Sequence, residues 1–329
     1  MRGQSLPFLG SSSPLLRFLD ELEAVAQSPA TVLLVGETGV GKTQAARLLH
    51  DRSSRSRGPF VVANLAAMAP TLIESTLFGH ERGAFTDAHR ARAGVFRTAT
   101  GGTVVLESVD GLPATVQVKL LRVLQEKVVE PLGAEALFPV DLRVVATTTR
   151  DLVADVRAGK FREDLYFRLA VVTLEIPPLR ARRDDFPVLC PTLLEHVAAR
   201  VGVPVRPLSP EALERLRAHP WPGNVRELEN AFERVLVLGG GSDGRTVPIA
   251  AEELEFLLEN AHGLAREVAQ QALRAGLTAD EIVRAMMERA LEESRGNVSA
   301  AARQVGLTRR AFDYRMAHGP RPLEDEEPG

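Results

Sequence analysis

Five short, uninterrupted apolar runs punctuate the first 175 residues: TVLLVG from Thr31, PFVVAN from Pro59, TVVLES from Thr103, LRVVATTT from Leu142 and LAVVTLEI from Leu169. A strand with one wet face alternates apolar and polar residues, whereas a continuous apolar run suits a strand covered on both faces. Amphipathic stretches separate the runs, so strand and helix alternate, and that order predicts an α/β fold with a parallel sheet. The proline-flanked joint IPPLRARRDDFP, Ile176 to Pro187, ends the alternation. From there to about Leu238 the pattern reads as helices only, with Ser209 as an N-cap and Pro210 in the first helical position. GGGSDG, from Gly239 to Gly244, is the strongest break in the chain. The predicted organisation is an α/β part over 1–175, a helical part over 176–238, a linker over 239–279, a three-helix part over 280–318 and a tail over 319–329.

In the three-helix part, Ile282, Val283, Met286, Met287, Ala290 and Leu291 form an apolar stripe at helical period. Asn297 precedes a second helix with the stripe Val298, Ala301, Ala302 and Val305. Gly306 makes the turn and Thr308 caps a third helix, RRAFDYRM, with Phe312 and Met316 facing inward. The two alanines allow the close helix crossing that a helix-turn-helix needs.

Charge sharpens this reading. The whole chain carries only −3, but from Arg295 to Met316 five arginines stand against Asp313 alone. A basic recognition helix predicts double-stranded DNA as partner. Arg309 and Arg310 are candidates for base edges. Arg303 and Arg315 suit phosphates, and Thr308 and Tyr314 share the DNA-facing set. The acidic EDEE of the tail, Glu324 to Glu327, predicts a solvated, disordered end. The balance of 45% hydrophobic and 25% charged residues is that of a globular protein. No run is long enough to span a membrane, and the N-terminus lacks a signal-peptide pattern. A single cysteine, Cys190, lies in the apolar VLCPTLL and is expected to be a buried filler; a reducing cytoplasm is the simplest location.

GETGVGKT, Gly36 to Thr43, follows a predicted strand and opens a predicted helix, which is the context a phosphate-binding loop requires. Gly36, Glu37, Thr38, Gly39, Val40 and Gly41 would wrap backbone N–H groups around phosphate oxygens at a helix N-terminus. Lys42 would reach the β and γ phosphates of ATP, and the Thr43 hydroxyl would ligate Mg²⁺.

With this loop in hand, further blocks become recognisable: FVVANLAA at Phe60, ESTLFGHERGAFTDA at Glu74, GGTVVLESVDGLP at Gly101, KLLRVLQE at Lys119, FREDLYFRL at Phe161, PPLRARRDD at Pro177 and WPGNVRELEN at Trp221. The chain resembles the sigma-54-dependent bacterial enhancer-binding proteins, a branch of the AAA+ ATPases, from about Phe8 to Leu238. GNVSAAARQVGLTRRAFDYRM is similar to their Fis-type helix-turn-helix. The resemblance implies a nucleotide-binding α/β subdomain, a helical lid over 176–238, and a ring, usually a hexamer built from dimers, with ATP between subunits. It implies RNA polymerase carrying sigma-54 as a partner, remodelled by ATP hydrolysis. Arg162 and Arg168 correspond to arginine fingers reaching a neighbour's γ phosphate, a contact worth about 10³ to 10⁵ in rate. Arg226 corresponds to the lid's nucleotide sensor, Asn64 to the residue restraining the catalytic glutamate, and Phe85 and Thr86 to the sigma-54 contacts.

Four positions depart from the family pattern. The Asp-Glu pair that ends its second nucleotide strand is Glu107-Ser108 here. Glu107 can hold a magnesium-bound water, but a serine hydroxyl is no base near neutral pH, and loss of general-base help costs about 10²–10⁴-fold. Asp110, two residues on, has the wrong reach from that strand end. The first sensor asparagine is Thr149, with Thr148 beside it, and the family's GAFTGA loop reads GAFTDA, with Asp87 in place of glycine. Two readings follow. One is an ATP-hydrolysing activator of sigma-54 polymerase; the other is a non-hydrolysing DNA-binding regulator whose AAA+ domain is a nucleotide-dependent oligomerisation scaffold. With the first strand near residue 31, no receiver or ligand-sensing domain is expected ahead of it.

Overall fold

All five apolar runs become strands of one sheet. The computed structural model describes residues 8–84, 89–134, 136–239, 247–257, 270–294 and 296–318. The chain divides into two compact units, residues 1–254 and 255–329. In chain order the first unit runs α1 (Ser13–Ala26), β1 (Val32–Val35), α2 (Lys42–Asp51), β2 (Phe60–Asn64), α3 (Pro70–Phe78), β3 (Gly79–His80), β4 (Arg92–Ala93), α4 (Val95–Thr98) and β5 (Thr103–Glu107). It continues with α5 (Ala114–Glu126), β6 (Val128–Val129), β7 (Phe138–Pro139), β8 (Arg143–Thr148), α6 (Leu152–Arg157), α7 (Glu163–Leu169), β9 (Val172–Glu175), α8 (Phe186–Val201), α9 (Pro210–Ala218) and α10 (Asn224–Leu238).

The main sheet has the order β2-β5-β8-β1-β9, and every pairing in it is parallel. Its two faces explain the continuous apolar runs. Leu33, Ala63, Val104, Leu106, Val144 and Ala146 pack toward α3, α5 and α7. Val32, Leu34, Val105, Val145 and Leu174 pack toward α1 and α2. Successive residues thus enter opposite cores, and polar substitutions would be costly on either side. The register sets Asn64 beside Glu107 and Glu107 beside Thr147, so one row of polar groups ends the strands at their carboxyl edge. That edge is where ligands bind in open parallel sheets. The hairpin of β3 and β4 carries the loop holding Phe85, Thr86 and Asp87, which lie outside the described residues.

The helices α8, α9 and α10 form the lid part of this unit. Ser209 caps α9 by accepting from the Ala212 N–H at 3.1 Å, and Pro210 opens the helix. Trp221 is fully buried; its indole N–H donates to the Leu216 carbonyl at 2.7 Å and its ring meets Phe186 at 6.5 Å. Cys190 is fully buried, and burial pushes its thiol up to about 12. Residues 247–254 also fold with the lid: Leu208 bridges Ile249, and Arg206 forms an ion pair with Glu253 at 2.7 Å. Gly240 to Gly244 and 258–269 lie outside the described residues, as does the tail over 319–329.

A buried ion pair ties the N-terminal segment to the start of the lid. Arg182 and Asp185, with side chains 1% and 0% exposed, meet at 3.1 Å. Asp185 also accepts from the Ser11 and Ser12 N–H groups, each at 2.8 Å, and from the Ser12 hydroxyl at 2.7 Å. Arg182 donates in turn to the Leu9 carbonyl at 3.0 Å. Both charges are therefore bonded, as burial demands.

The second unit contains α11 (Ala279–Glu293), α12 (Val298–Gln304) and α13 (Arg309–His318). Thr278 and Glu281 close a capping box, Asn297 caps α12, and the Thr308 hydroxyl accepts from the Ala311 N–H at 3.2 Å. Met287, Ala290, Ala301, Ala302 and Phe312 form the core, with Met316 packed against it. Among the described residues, no helix is long and apolar enough to cross a membrane.

Candidate functional site

A cleft of about 310 Å³ opens at the carboxyl edge of the sheet, between β1, β2, β5, β8 and the start of α10. Its lining brings together Thr38, Gly39, Gly41, Lys42 and Thr43 of the glycine loop, Asn64, Glu107, Ser108 and Thr149 from the strand ends, and Arg226 from the lid. Gly41 caps α2 with φ 100°, and Gly39 has φ 79°. Both angles favour glycine. At Gly39 a Cβ would also run into the Gly223 carbonyl oxygen of the lid.

Lys42 Nζ donates to the Gly36 carbonyl at 2.7 Å and the Glu37 carbonyl at 2.9 Å. Burial holds its ammonium below the usual lysine range, with Asp110 and Glu107 opposing that shift. The Thr43 hydroxyl bonds the Glu107 carboxylate directly. These two hard oxygen donors, one in the first turn of α2 and one at the end of β5, suit Mg²⁺, which takes few protein ligands when phosphates supply the rest. When bound, Mg²⁺ would neutralise charge on the phosphates, while Lys42 and Arg226 would grip their oxygens.

Ser108 lies just past the strand end with a left-handed backbone (φ 60°), and its N–H donates to the Thr147 hydroxyl at 3.3 Å. Ser108 lines the cleft at the position where the resemblance expects a carboxylate. Asp110 does not line the cleft. Its carboxylate accepts from the Thr148 hydroxyl at 2.9 Å and faces Arg150 at 3.7 Å. Asn64 lines the cleft, but its side-chain oxygen accepts from the Ala67 N–H at 3.2 Å, capping the next turn.

Arg162 and Arg168 are not brought to the cleft of their own chain. Both are exposed, at the two ends of α7. Arg162 grips Asp164 with bonds of 3.0 and 2.7 Å, which raises the guanidinium above its ordinary value. In the second unit, Arg303, Thr308, Arg309, Arg310, Tyr314 and Arg315 are all exposed. Arg309 faces Asp313 across one helical turn at 3.8 Å.

Two residues at this site escaped sequence reasoning. Asn224, with φ 51°, donates to the Glu37 carboxylate and the Thr38 carbonyl, each at 3.0 Å, and accepts from the Leu179 N–H at 2.7 Å. Arg180 grips Glu37 with bonds of 2.7 and 2.6 Å. Arg180 was unremarkable among five neighbouring charges; Asn224 carried a signal, since asparagine tolerates positive φ after a Trp-Pro-Gly turn.

Three family models match in order. The sigma-54 interaction domain covers residues 8–175, the AAA+ ATPase lid domain 180–271, and the bacterial regulatory protein Fis family 279–318. The chain belongs to the sigma-54-interacting AAA+ transcriptional regulators. Within this family it is 42% identical to the transcriptional regulatory protein ZraR of Escherichia coli over 306 residues, which are 92% of this chain and 67% of that protein. It is 43% identical over 313 residues to the C4-dicarboxylate transport transcriptional regulatory protein DctD of Pseudomonas aeruginosa, covering 94% of this chain and 64% of that one. The crystal structure of NtrX from Brucella abortus in complex with ATP matches with a TM-score of 0.70 and 31% identity, over 96% of this chain and 69% of that chain. NtrX in complex with ADP matches at 0.71 and 32%, over the same shares. This sigma-54-family regulator thus joins an ATP-binding AAA+ domain to a Fis-type helix-turn-helix.

Proposed function

We propose that the chain is a cytoplasmic transcription regulator that binds Mg²⁺-ATP in the cleft and double-stranded DNA through α13, and in which nucleotide serves assembly more than rapid turnover. The observation that carries this reading is the unequal cleft. Lys42, Thr43, Glu107 and Arg226 line it with the means to hold a triphosphate, while Ser108 offers no base to activate water. Exposure of Arg162 and Arg168 away from their own cleft supports a ring in which each chain completes its neighbour's site, a hexamer built from dimers. Phe167, 65% exposed on the same helix, adds apolar area to that face. An apolar groove of about 740 Å³ on the second unit, lined by Leu277, Ile282 and Met286, supports pairing of two copies near the DNA. Contact with sigma-54 polymerase would run through Phe85 and Thr86, with Asp87 adding a charge between this loop and its target.

The intact protein is expected to bind ATP but to hydrolyse it slowly, and Ser108→Glu is expected to raise turnover by about 10²–10⁴-fold. Steady-state phosphate release checks both. Wild-type turnover near about 1 s⁻¹, within the range of active phosphoryl-transfer enzymes, with no gain in the variant, would favour the hydrolysing activator instead.

A further inference from the structure

The bonds between Glu37, Arg180 and Asn224 join two parts that must act together on a nucleotide. Glu37 is the second residue of the glycine loop, Arg180 stands at the start of the lid segment and Asn224 opens α10. Arg180 meets Glu37 in a bidentate pair, and Asn224 bonds both the Glu37 side chain and the Thr38 carbonyl. Beside them the Val225 N–H donates to the Gly39 carbonyl at 3.1 Å. The next residue, Arg226, lines the cleft. Loop and lid are therefore tied within one residue of a cation that lines the cleft.

We infer that Glu37 and Arg180 are positioning residues: their ion pair latches the lid to the phosphate loop and so holds Arg226 in place for nucleotide. This rests on the proposed ATP site and adds to it. The geometry has a direct consequence. Lys42 leans on the Gly36 and Glu37 carbonyls, and phosphates drawing Lys42 away would release the same segment that the latch holds. Bidentate arginine–carboxylate pairing resists rotation as well as separation, so it transmits the loop's orientation to the lid. The hydrogen bonds from Arg180 hold the Glu37 carboxyl below the usual carboxylate range, against the effect of its burial, so the latch stays charged at neutral pH.

The test uses the full chain, with Glu37→Gln, Arg180→Gln, Arg226→Ala and the Glu37→Gln/Arg226→Ala pair. Without nucleotide, hydrogen exchange at the Leu179 and Val225 amides is expected to quicken by about threefold or more in Glu37→Gln and in Arg180→Gln, as partly exposed pairs of this kind contribute modestly. Unchanged exchange overturns the latch. With ATP as the probe, calorimetry is expected to give a Kd raised about three- to tenfold by Glu37→Gln, and no further loss when Arg226→Ala is already present. Fully additive losses overturn the inference, because Glu37 would then act on nucleotide independently of the lid. If wild type takes up no ATP, the proposed function fails, and the exchange result alone decides for or against the latch.

Discussion

Ser108 concentrates the functional question in one side chain. Its backbone amide is held by Thr147 and its conformation is left-handed, so the loop after β5 does not depend on a carboxylate at that position. In the proposed function, activation of water at the γ phosphate does. At the same scale, the exposed cations of α12 and α13 are proposed to divide affinity from specificity. On a duplex selected from a random pool, Arg309→Ala with Arg310→Ala in the intact chain should lose site-specific footprinting. About 1–3 kcal/mol of discrimination is expected for each arginine that reads a base. Arg303→Ala should instead weaken all sequences alike and flatten the salt dependence. Undiminished site-specific protection in the double variant would remove α13 from the role of reader.

Elements differ in how much neighbouring structure they need. The α11–α13 unit is locally specified, with a cap at each helix start and a small core centred on Ala301, Ala302 and Phe312. Yet α11 has more apolar surface than that core uses. Met287 and Ala290 are buried, while Met286 is 56% exposed beside Leu277. A stripe read from periodicity alone makes Met286 a core residue; in the structure it flanks the open groove. Met286→Asp should therefore leave the unit's helicity intact and shift the intact protein toward monomer in sedimentation velocity. An unchanged sedimentation profile would rule out that groove as the dimer face. Helix α7 shows the same division, burying Leu165 and Leu169 while turning Arg162, Phe167 and Arg168 to solvent.

At the scale of the whole molecule, polar ties between distant segments supplement the two apolar cores that flank the sheet. Asp185 joins residues 9–12 to the lid through Arg182, across more than 170 positions of sequence. Asp185→Ala would leave the Arg182 guanidinium buried without its carboxylate, a loss expected to cost about 3–5 kcal/mol. Thermal unfolding checks this: a melting temperature equal to wild type would mean that the pair contributes little. The glycine loop and the lid form a second such tie, through Asn224 at the start of α10 and Arg180 ahead of α8.

What the sequence determined by itself was whatever depends on local pattern: five continuous apolar strands, the Ser209 and Thr308 caps, and the glycine loop at Gly36–Thr43. Such features arise from backbone propensity and short-range periodicity, which neighbours in the chain can specify. Departures at Glu107, Ser108 and Thr149 were equally legible, because each sits in a motif of known register. Only the tertiary structure decided that Asp110 is engaged by Thr148 and Arg150, that Asn64 caps its own turn, and that Arg180 and Asn224 hold Glu37. Those partners lie 38 to 187 residues apart, or are chosen by which bond a short side chain satisfies first. Long-range hydrogen bonds follow from how sheet and lid pack, and packing leaves no periodic trace in the residues that make them.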